Sequence, residues 1–164
     1  MSIETWNRRY LAGEHLTDAP SPLVVRYTAD LPPGIALDLA SGPGRNALYL
    51  AERGWQVTAV DGSPIAIAKL RERNAKIDAR VADLERGEFP VAPDSYDLIC
   101  DCLYFQRDLF ASIKAGIRPG GMVILTALPS RAQPGELRMH FQDWKILHDA
   151  EEDRVLELVA VRAP

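Results

Sequence analysis

Three aspartates, Asp38, Asp61 and Asp83, each stand at or near the end of an apolar run. The first is followed at once by a loop of small residues, Ala40-Ser41-Gly42-Pro43-Gly44, and a helical pattern begins directly after it. Asp61 comes seventeen residues past Gly44 and leads into Gly62-Ser63. Small residues let backbone approach a ligand with no Cβ in the way. A helix start supplies free N–H groups. A carboxylate at the tip of the next strand can accept two hydrogen bonds from ribose hydroxyls. The chemistry these residue types suit is the binding of a nucleoside-bearing cofactor.

Each acid also has a plainer reading. Asp61 could cap a helix or sit solvated in a loop, Asp83 could form a turn, and Asp38 could brace the loop after it. Three acids at the ends of successive apolar runs, in step with a small-residue loop, favour the binding site. Candidates to face a second substrate are Trp6, Arg9 and Tyr10 near the N-terminus, and Cys102 and Tyr104 after the fourth apolar run. Packing on the core is the alternative for the aromatic residues, and a surface ion pair for Arg9. His15, His140 and His148 are scattered and read as structural or exposed. Cys100 and Cys102 alternate on one strand, an arrangement poor for a disulfide and without a histidine nearby to complete a metal site, so no metal is expected. No catalytic acid–base pair stands out.

The elements that must position these residues alternate. Short helices are expected over Thr5–Leu11 and Leu23–Leu31, joined by a polar stretch from His15 to Pro22. Strands are expected at Ile35–Ala40, Gln56–Val60, Asp78–Ala82, Tyr96–Cys102 and Met122–Leu128. Helices fall between them at Arg45–Arg53, from Ser63-Pro64 to Asn74, and at Leu109–Ile117, followed by the turn Arg118-Pro119-Gly120-Gly121. Ser63 suits an N-cap, and proline at the first helical position forfeits no hydrogen bond. The tail reads as a helix, Glu136–Trp144, and a hairpin of Lys145–Ala150 and Arg154–Val161. Strands alternating with helices imply an α/β fold, a doubly wound, mostly parallel sheet, here closed by an antiparallel C-terminal hairpin and totalling seven strands.

A chain of 164 residues, 47% hydrophobic and 26% charged, reads as one domain: 1–33 as an N-terminal helical segment that could lid the site, and 34–164 as the core. The net charge of −4, with no basic stripe, argues against a nucleic-acid partner. The apolar runs are far too short for a membrane span. The opening Met1-Ser2-Ile3-Glu4-Thr5-Trp6 is acidic and amphipathic, unlike a signal peptide, which leaves a cytoplasmic protein as the expectation.

Together these motifs resemble class I S-adenosylmethionine-dependent methyltransferases, with a Rossmann-like fold. The family's first motif is similar to Asp38-Leu39-Ala40-Ser41-Gly42-Pro43-Gly44, its second-strand acid to Asp61, and its third-strand acid and following apolar residue to Asp83-Leu84. Tyr96-Asp97-Leu98-Ile99 resembles the fourth-strand entry, and Arg118-Pro119-Gly120-Gly121 the fifth-strand turn. Trp6-Asn7-Arg8-Arg9-Tyr10 and Gly44-Arg45-Asn46 look like the small bacterial branch containing tellurite- and thiopurine-type enzymes. The resemblance implies that Asp61 holds the ribose hydroxyls, Asp83 accepts from the adenine amino group and the Leu84 backbone meets the ring. Gly62 and Ser63 would lie near the adenine, and Ala40 to Gly44, with Asp38 close by, would pack on the methionyl part. S-adenosylhomocysteine would be the product, and the acceptor a small molecule, favoured as a soft sulfur, selenium or tellurium nucleophile. The protein would act as a monomer or homodimer.

The chain departs from the family at Ala40, where glycine is commonest, and between Asp83 and Tyr96, too short for the usual helix. Asp101-Cys102-Leu103-Tyr104 is not the motif of amide and adenine-amino methyltransferases. Two rivals remain. One is a non-catalytic cofactor- or partner-binding module. The other is a nicotinamide oxidoreductase, since Gly42 to Ala47 also fits G-x-G-x-x-A, although the chain is short for a second mononucleotide half.

Overall fold

The computed structural model describes residues 1–14 and 16–164; His15 lies outside the described residues. Two compact units divide the chain at Phe89 and Pro90. Their strands form a seven-stranded sheet in the order β3-β2-β1-β4-β5-β7-β6.

The first unit holds α1 (Ile3–Leu11), α2 (Pro22–Thr28), β1 (Ile35–Leu39), α3 (Arg45–Glu52), β2 (Gln56–Asp61), α4 (Pro64–Arg73) and β3 (Asp78–Val81). The strands β1, β2 and β3 pair in parallel, with Leu39 beside Val60 and Asp61 beside Val81. Ala36, Leu37 and Leu39 are fully buried, as expected of a strand covered on both faces. Each helix start is supplied differently. Ser2 caps α1 through a hydrogen bond from the Thr5 N–H, and Ser63 caps α4 through one from Ala66. Gly44, at the start of α3, has no side chain to offer. Asp38 reaches across from β1 instead, its Oδ2 accepting the Ala47 N–H at 3.1 Å.

The second unit holds β4 (Tyr96–Cys102), α5 (Leu109–Gly116), β5 (Ile117–Ala127), α6 (Glu136–His140), β6 (Lys145–Glu151) and β7 (Leu156–Val161). Here β4 and β5 are parallel, while β7 is antiparallel to both β5 and β6. Leu98, Ile99, Ile113, Ile124, Leu125, Leu158 and Phe141 are buried at the centre of this unit.

Two expected elements shift by more than three residues at one end. The fifth strand begins at Ile117 rather than Met122, because Ile117 already pairs with Tyr96 before the register jumps to Leu98–Met122. The intervening Arg118 to Gly121 bulges out, and a Cβ on Gly121 would lie 3.0 Å from the Asp97 carbonyl oxygen, so the bulge needs glycine there. The tail helix stops at His140 instead of Trp144. Phe141 turns inward to full burial with Phe110 and Trp144 edge-on to it, and core packing outweighs the helical pattern. Between Asp83 and Tyr96 there are turns only, as the short spacing implied.

Candidate functional site

In the first unit, the ends of β1 and β2 meet at Asp61. Its Oδ2 accepts the Gly42 N–H and its Oδ1 the Ser63 N–H, both at 2.8 Å. The loop after β1 is tied to the loop after β2 through this one carboxylate. Burial raises the Asp61 pKa, and the two backbone N–H groups pull it back down. A carboxylate offers about four lone-pair positions. Each Asp61 oxygen therefore keeps one for another donor.

The loop has the conformation that small residues permit. Ala40, Gly42 and Gly44 all have positive φ, at 49°, 54° and 90°. Ser41 anchors the loop, its N–H donating to the Val60 carbonyl and its own carbonyl accepting from Gly44. A Cβ on Gly44 would fall 2.4 Å from a Leu70 methyl, so a larger residue would have to displace the buried Leu70 side chain. Asp38 lies directly beneath, 1% exposed. Desolvation pushes its pKa up to about 7, opposed by the Ala47 N–H and the Arg45 charge and reinforced by Asp61.

Helix α1 lies over these loops with one face, Ile3, Asn7 and Tyr10, at the spacing that aligns side chains on a helix. Ile3 packs where a Gly62 Cβ would be, Asn7 Oδ1 accepts from the Ser63 hydroxyl, and the Tyr10 hydroxyl oxygen lies 3.0 Å from a Cβ built on Gly42. Tyr10 is 7% exposed, and burial, then the Asp61 charge, raise its pKa, so it stands as a neutral phenol. Trp6 stacks on Tyr10 with centroids 5.6 Å apart. Arg9 turns elsewhere, over the Trp6 ring and 3.6 Å from Glu14.

Asp83 is a turn-former in its local bonding. Its Oδ1 accepts the Glu85 N–H, its own N–H donates to Glu88, and Arg86 lies 4.0 Å away. It nonetheless follows Ala82, whose N–H donates to the Asp61 carbonyl, so the end of β3 adjoins the end of β2. Leu84 is buried beside it. Among the described residues, no group of acids, histidines and cysteines could hold a metal, and no helix is long and apolar enough to cross a membrane.

Residues 36–121, which run from β1 to the glycine turn in β5, match the sequence family described as the methyltransferase domain. The chain belongs to that family. Within it, the chain sits with the class I S-adenosylmethionine-dependent enzymes. It is 36% identical over 111 residues to the malonyl-[acyl-carrier protein] O-methyltransferase of Salmonella typhimurium, covering 65% of this chain and 43% of that protein. It is 26% identical over 161 residues to the probable S-adenosyl-L-methionine-dependent methyltransferase TehB of Haemophilus influenzae, covering 84% and 55%. The chain spans about half the length of these curated relatives. The crystal structure of Haemophilus influenzae TehB superposes with a TM-score of 0.80 at 22% identity, over 95% of this chain and 67% of that one. A Burkholderia thailandensis 1,6-didemethyltoxoflavin-N1-methyltransferase, solved with bound 1,6-didemethyltoxoflavin and S-adenosylhomocysteine, gives 0.74 at 20% identity, over 99% and 87%. The family's cofactor is S-adenosylmethionine.

In this methyltransferase-family chain, the remaining candidates belong to the second unit. Cys102 ends β4, half-buried, and Cys100 is buried within it. The Tyr104 hydroxyl donates to Gln106 Oε1 at 2.7 Å. The sequence reading had no role for Ile3 and Asn7, nor for the ion pair of Arg107 with Glu136. Arg107 Nε and Nη2 bond the two Glu136 oxygens at 2.5 and 3.0 Å, and the Gln133 N–H adds a third bond, which together hold the Glu136 pKa low. Ile3 and Asn7 carry a signal in their spacing from Tyr10. Arg107 and Glu136 carry none, being far apart in sequence.

Proposed function

We propose that this chain transfers the methyl group of S-adenosylmethionine to a small-molecule acceptor, with a soft sulfur, selenium or tellurium atom as the nucleophile. The observation that supports this most is the Asp61 bridge. A carboxylate fixed between two loops, with one lone pair free on each oxygen, suits a vicinal diol. The positive-φ loop from Ala40 to Gly44 suits close passage of a chain bearing an ammonium and a carboxylate, and the backbone at Gly62 and Ser63 suits a flat base. We assign Asp61 to the ribose hydroxyls, Asp83 and the Leu84 backbone to the adenine, and Asp38, Ala40, Ser41, Gly42 and Gly44 to the methionyl side.

When bound, S-adenosylmethionine supplies a methyl group on a sulfonium, a leaving group already activated. The protein's task is then to hold the nucleophile in line and exclude water. Helix α1 supports the second part. Its Ile3, Asn7 and Tyr10 cover Gly62, Ser63 and Gly42, so we assign residues 1–33 as a lid, with the neutral Tyr10 phenol as a donor toward the cofactor side and Trp6 stacked behind it. A soft nucleophile reacts as an anion and needs no side-chain base. We place the acceptor at the carboxyl ends of β4 and β5, where Cys102 and Tyr104 stand, because ligands of such sheets bind outside those ends. The chain acts as one methyltransferase domain, as a monomer or homodimer, in the cytoplasm.

The test is turnover. Purified protein is incubated with methyl-labelled S-adenosylmethionine and thiol, selenol and tellurium acceptors, and S-adenosylhomocysteine is followed. Its formation with at least one acceptor, and not without, is expected. Cofactor binding with no turnover on any of them would contradict methyl transfer to soft acceptors and favour a non-catalytic cofactor-binding module.

A further inference from the structure

Asn46 stands at the second position of α3, just past Gly44, and is 3% exposed. A buried carboxamide needs hydrogen-bond partners. Its Oδ1 accepts the Ser21 N–H at 2.8 Å, across 25 residues of sequence. Ser21 is itself buried and opens α2, its carbonyl accepting the Val25 N–H. Leu23 and Val24 follow it into the core. Asn46 thus fastens the start of α2 to the start of α3, all within the first unit.

That turn needs fastening. Gly44 has no side chain to cap it, and the loop ahead of it holds Ala40, Gly42 and Gly44 at positive φ. Asp38 takes the Ala47 N–H, and Asn46 ties the same turn to α2. A loop fixed in its binding conformation before the ligand arrives binds more tightly, because less freedom is lost on binding. The other end of the site is fastened differently. There Asn7 Oδ1 accepts from the Ser63 hydroxyl, beside Gly62. The N-terminal segment is therefore joined to the site at two places, by α1 at Ser63 and by α2 at Asn46.

We infer that Asn46 is a positioning residue for the amino-acid part of the cofactor. Held by Ser21, it sets the first turn of α3 and with it the loop from Ala40 to Gly44, and it does not act on the nucleoside end. This rests on the assignment of that loop to the methionyl side above. A ligand that keeps the nucleoside but lacks the amino-acid part is then insensitive to the Ser21–Asn46 bond. A residue that only stabilised the fold would lower Tm without distinguishing the two ligands.

Ser21→Pro removes the donor alone. Ser21 has φ −55° and ψ 128°, which suit a proline that precedes Pro22; its side chain does not cap α2, and Pro20 lies outside any helix. Asn46→Leu removes the acceptor at similar size. S-adenosylhomocysteine and 5′-methylthioadenosine are titrated calorimetrically into wild type and each variant, with melting curves on the same samples. Each variant should bind S-adenosylhomocysteine about tenfold more weakly, the scale of one buried hydrogen bond, and methylthioadenosine within about twofold of wild type. The double variant should lose no more than either single one, since both act through the same bond. Ser21→Pro carries the test by itself where Asn46→Leu does not fold. Unchanged S-adenosylhomocysteine affinity, or equal weakening of both ligands, would overturn the inference while leaving the cofactor site standing. So would a wild type that binds S-adenosylhomocysteine but not methylthioadenosine, because the two ends would then not bind separately. A wild type that binds neither would overturn the cofactor site, and this inference with it.

Discussion

The Gly42 N–H donates to Asp61 Oδ2 at 2.8 Å, so a loop following one strand is held by the acid that ends the next. With Ser63 on the other oxygen, Asp61 both shapes the site and is assigned to bind within it. Replacing it should therefore do two things. Asp61→Ala should weaken S-adenosylhomocysteine binding by about 1–3 kcal/mol, the cost of leaving polar partners unpaired, and should also lower Tm by freeing two backbone N–H groups. Calorimetry with a melting curve on the same samples checks both. Unchanged affinity with a lowered Tm would leave Asp61 a structural tie only.

Asp83 provides a contrast within the same strand ends. Its carboxylate is engaged with Glu85 and Arg86. Asp83→Ala should reduce affinity for adenine-bearing ligands more than for analogues with another base. Equal loss across bases would assign Asp83 to the turn alone.

Asp38 makes stability depend on pH in a direction unusual for an aspartate. Its folded pKa, about 7, lies above its ordinary value of 3.8. The folded state therefore holds the proton more tightly than the unfolded chain. The resulting stabilisation is complete below about pH 3.8 and is lost as pH rises through about 7. Asp38→Asn, whose amide oxygen can still accept the Ala47 N–H, should flatten that part of the stability curve. Denaturant midpoints for both proteins between pH 4 and 8 give the comparison, and parallel curves would contradict the assignment.

The loop residues predict opposite effects for two small changes. Ala40 holds φ 49° with a side chain, whereas glycine adopts it freely. Ala40→Gly should therefore raise Tm modestly. Gly44→Ala should destabilise by about 1–3 kcal/mol, because its methyl would meet Leu70 at 2.4 Å in an already left-handed position. Thermal melts of the two variants decide this. Equal effects would mean the loop relaxes more easily than its hydrogen bonds suggest.

The periodic parts of the fold could be read from sequence because burial acts on whole elements. Tyr96–Cys102 is a strand over the expected span, and Ser63 caps α4 as its residue type implied. The acids at the strand ends were visible for the same reason: Asp38 and Asp61 interrupt or close apolar runs. Long-range choices were hidden. Nothing local to Phe141 announces that it leaves the helical pattern to fill the core, and nothing near Ile117 announces the bulge that starts β5 early. Asp83 illustrates a middle case, where the turn reading and the binding reading predict the same residue. Ile3 and Asn7 were obscured by the aromatic residues beside them, and Asn46 because its partner, Ser21, lies 25 residues away.

The central claim is that the Asp61 bridge and the loop from Ala40 to Gly44 form a site for S-adenosylmethionine. Titration of the wild-type protein with S-adenosylhomocysteine in a calorimeter, with NADH as the control, tests it most directly. Saturable micromolar binding of S-adenosylhomocysteine and none of NADH is predicted. Binding of NADH instead, or of neither, would contradict it.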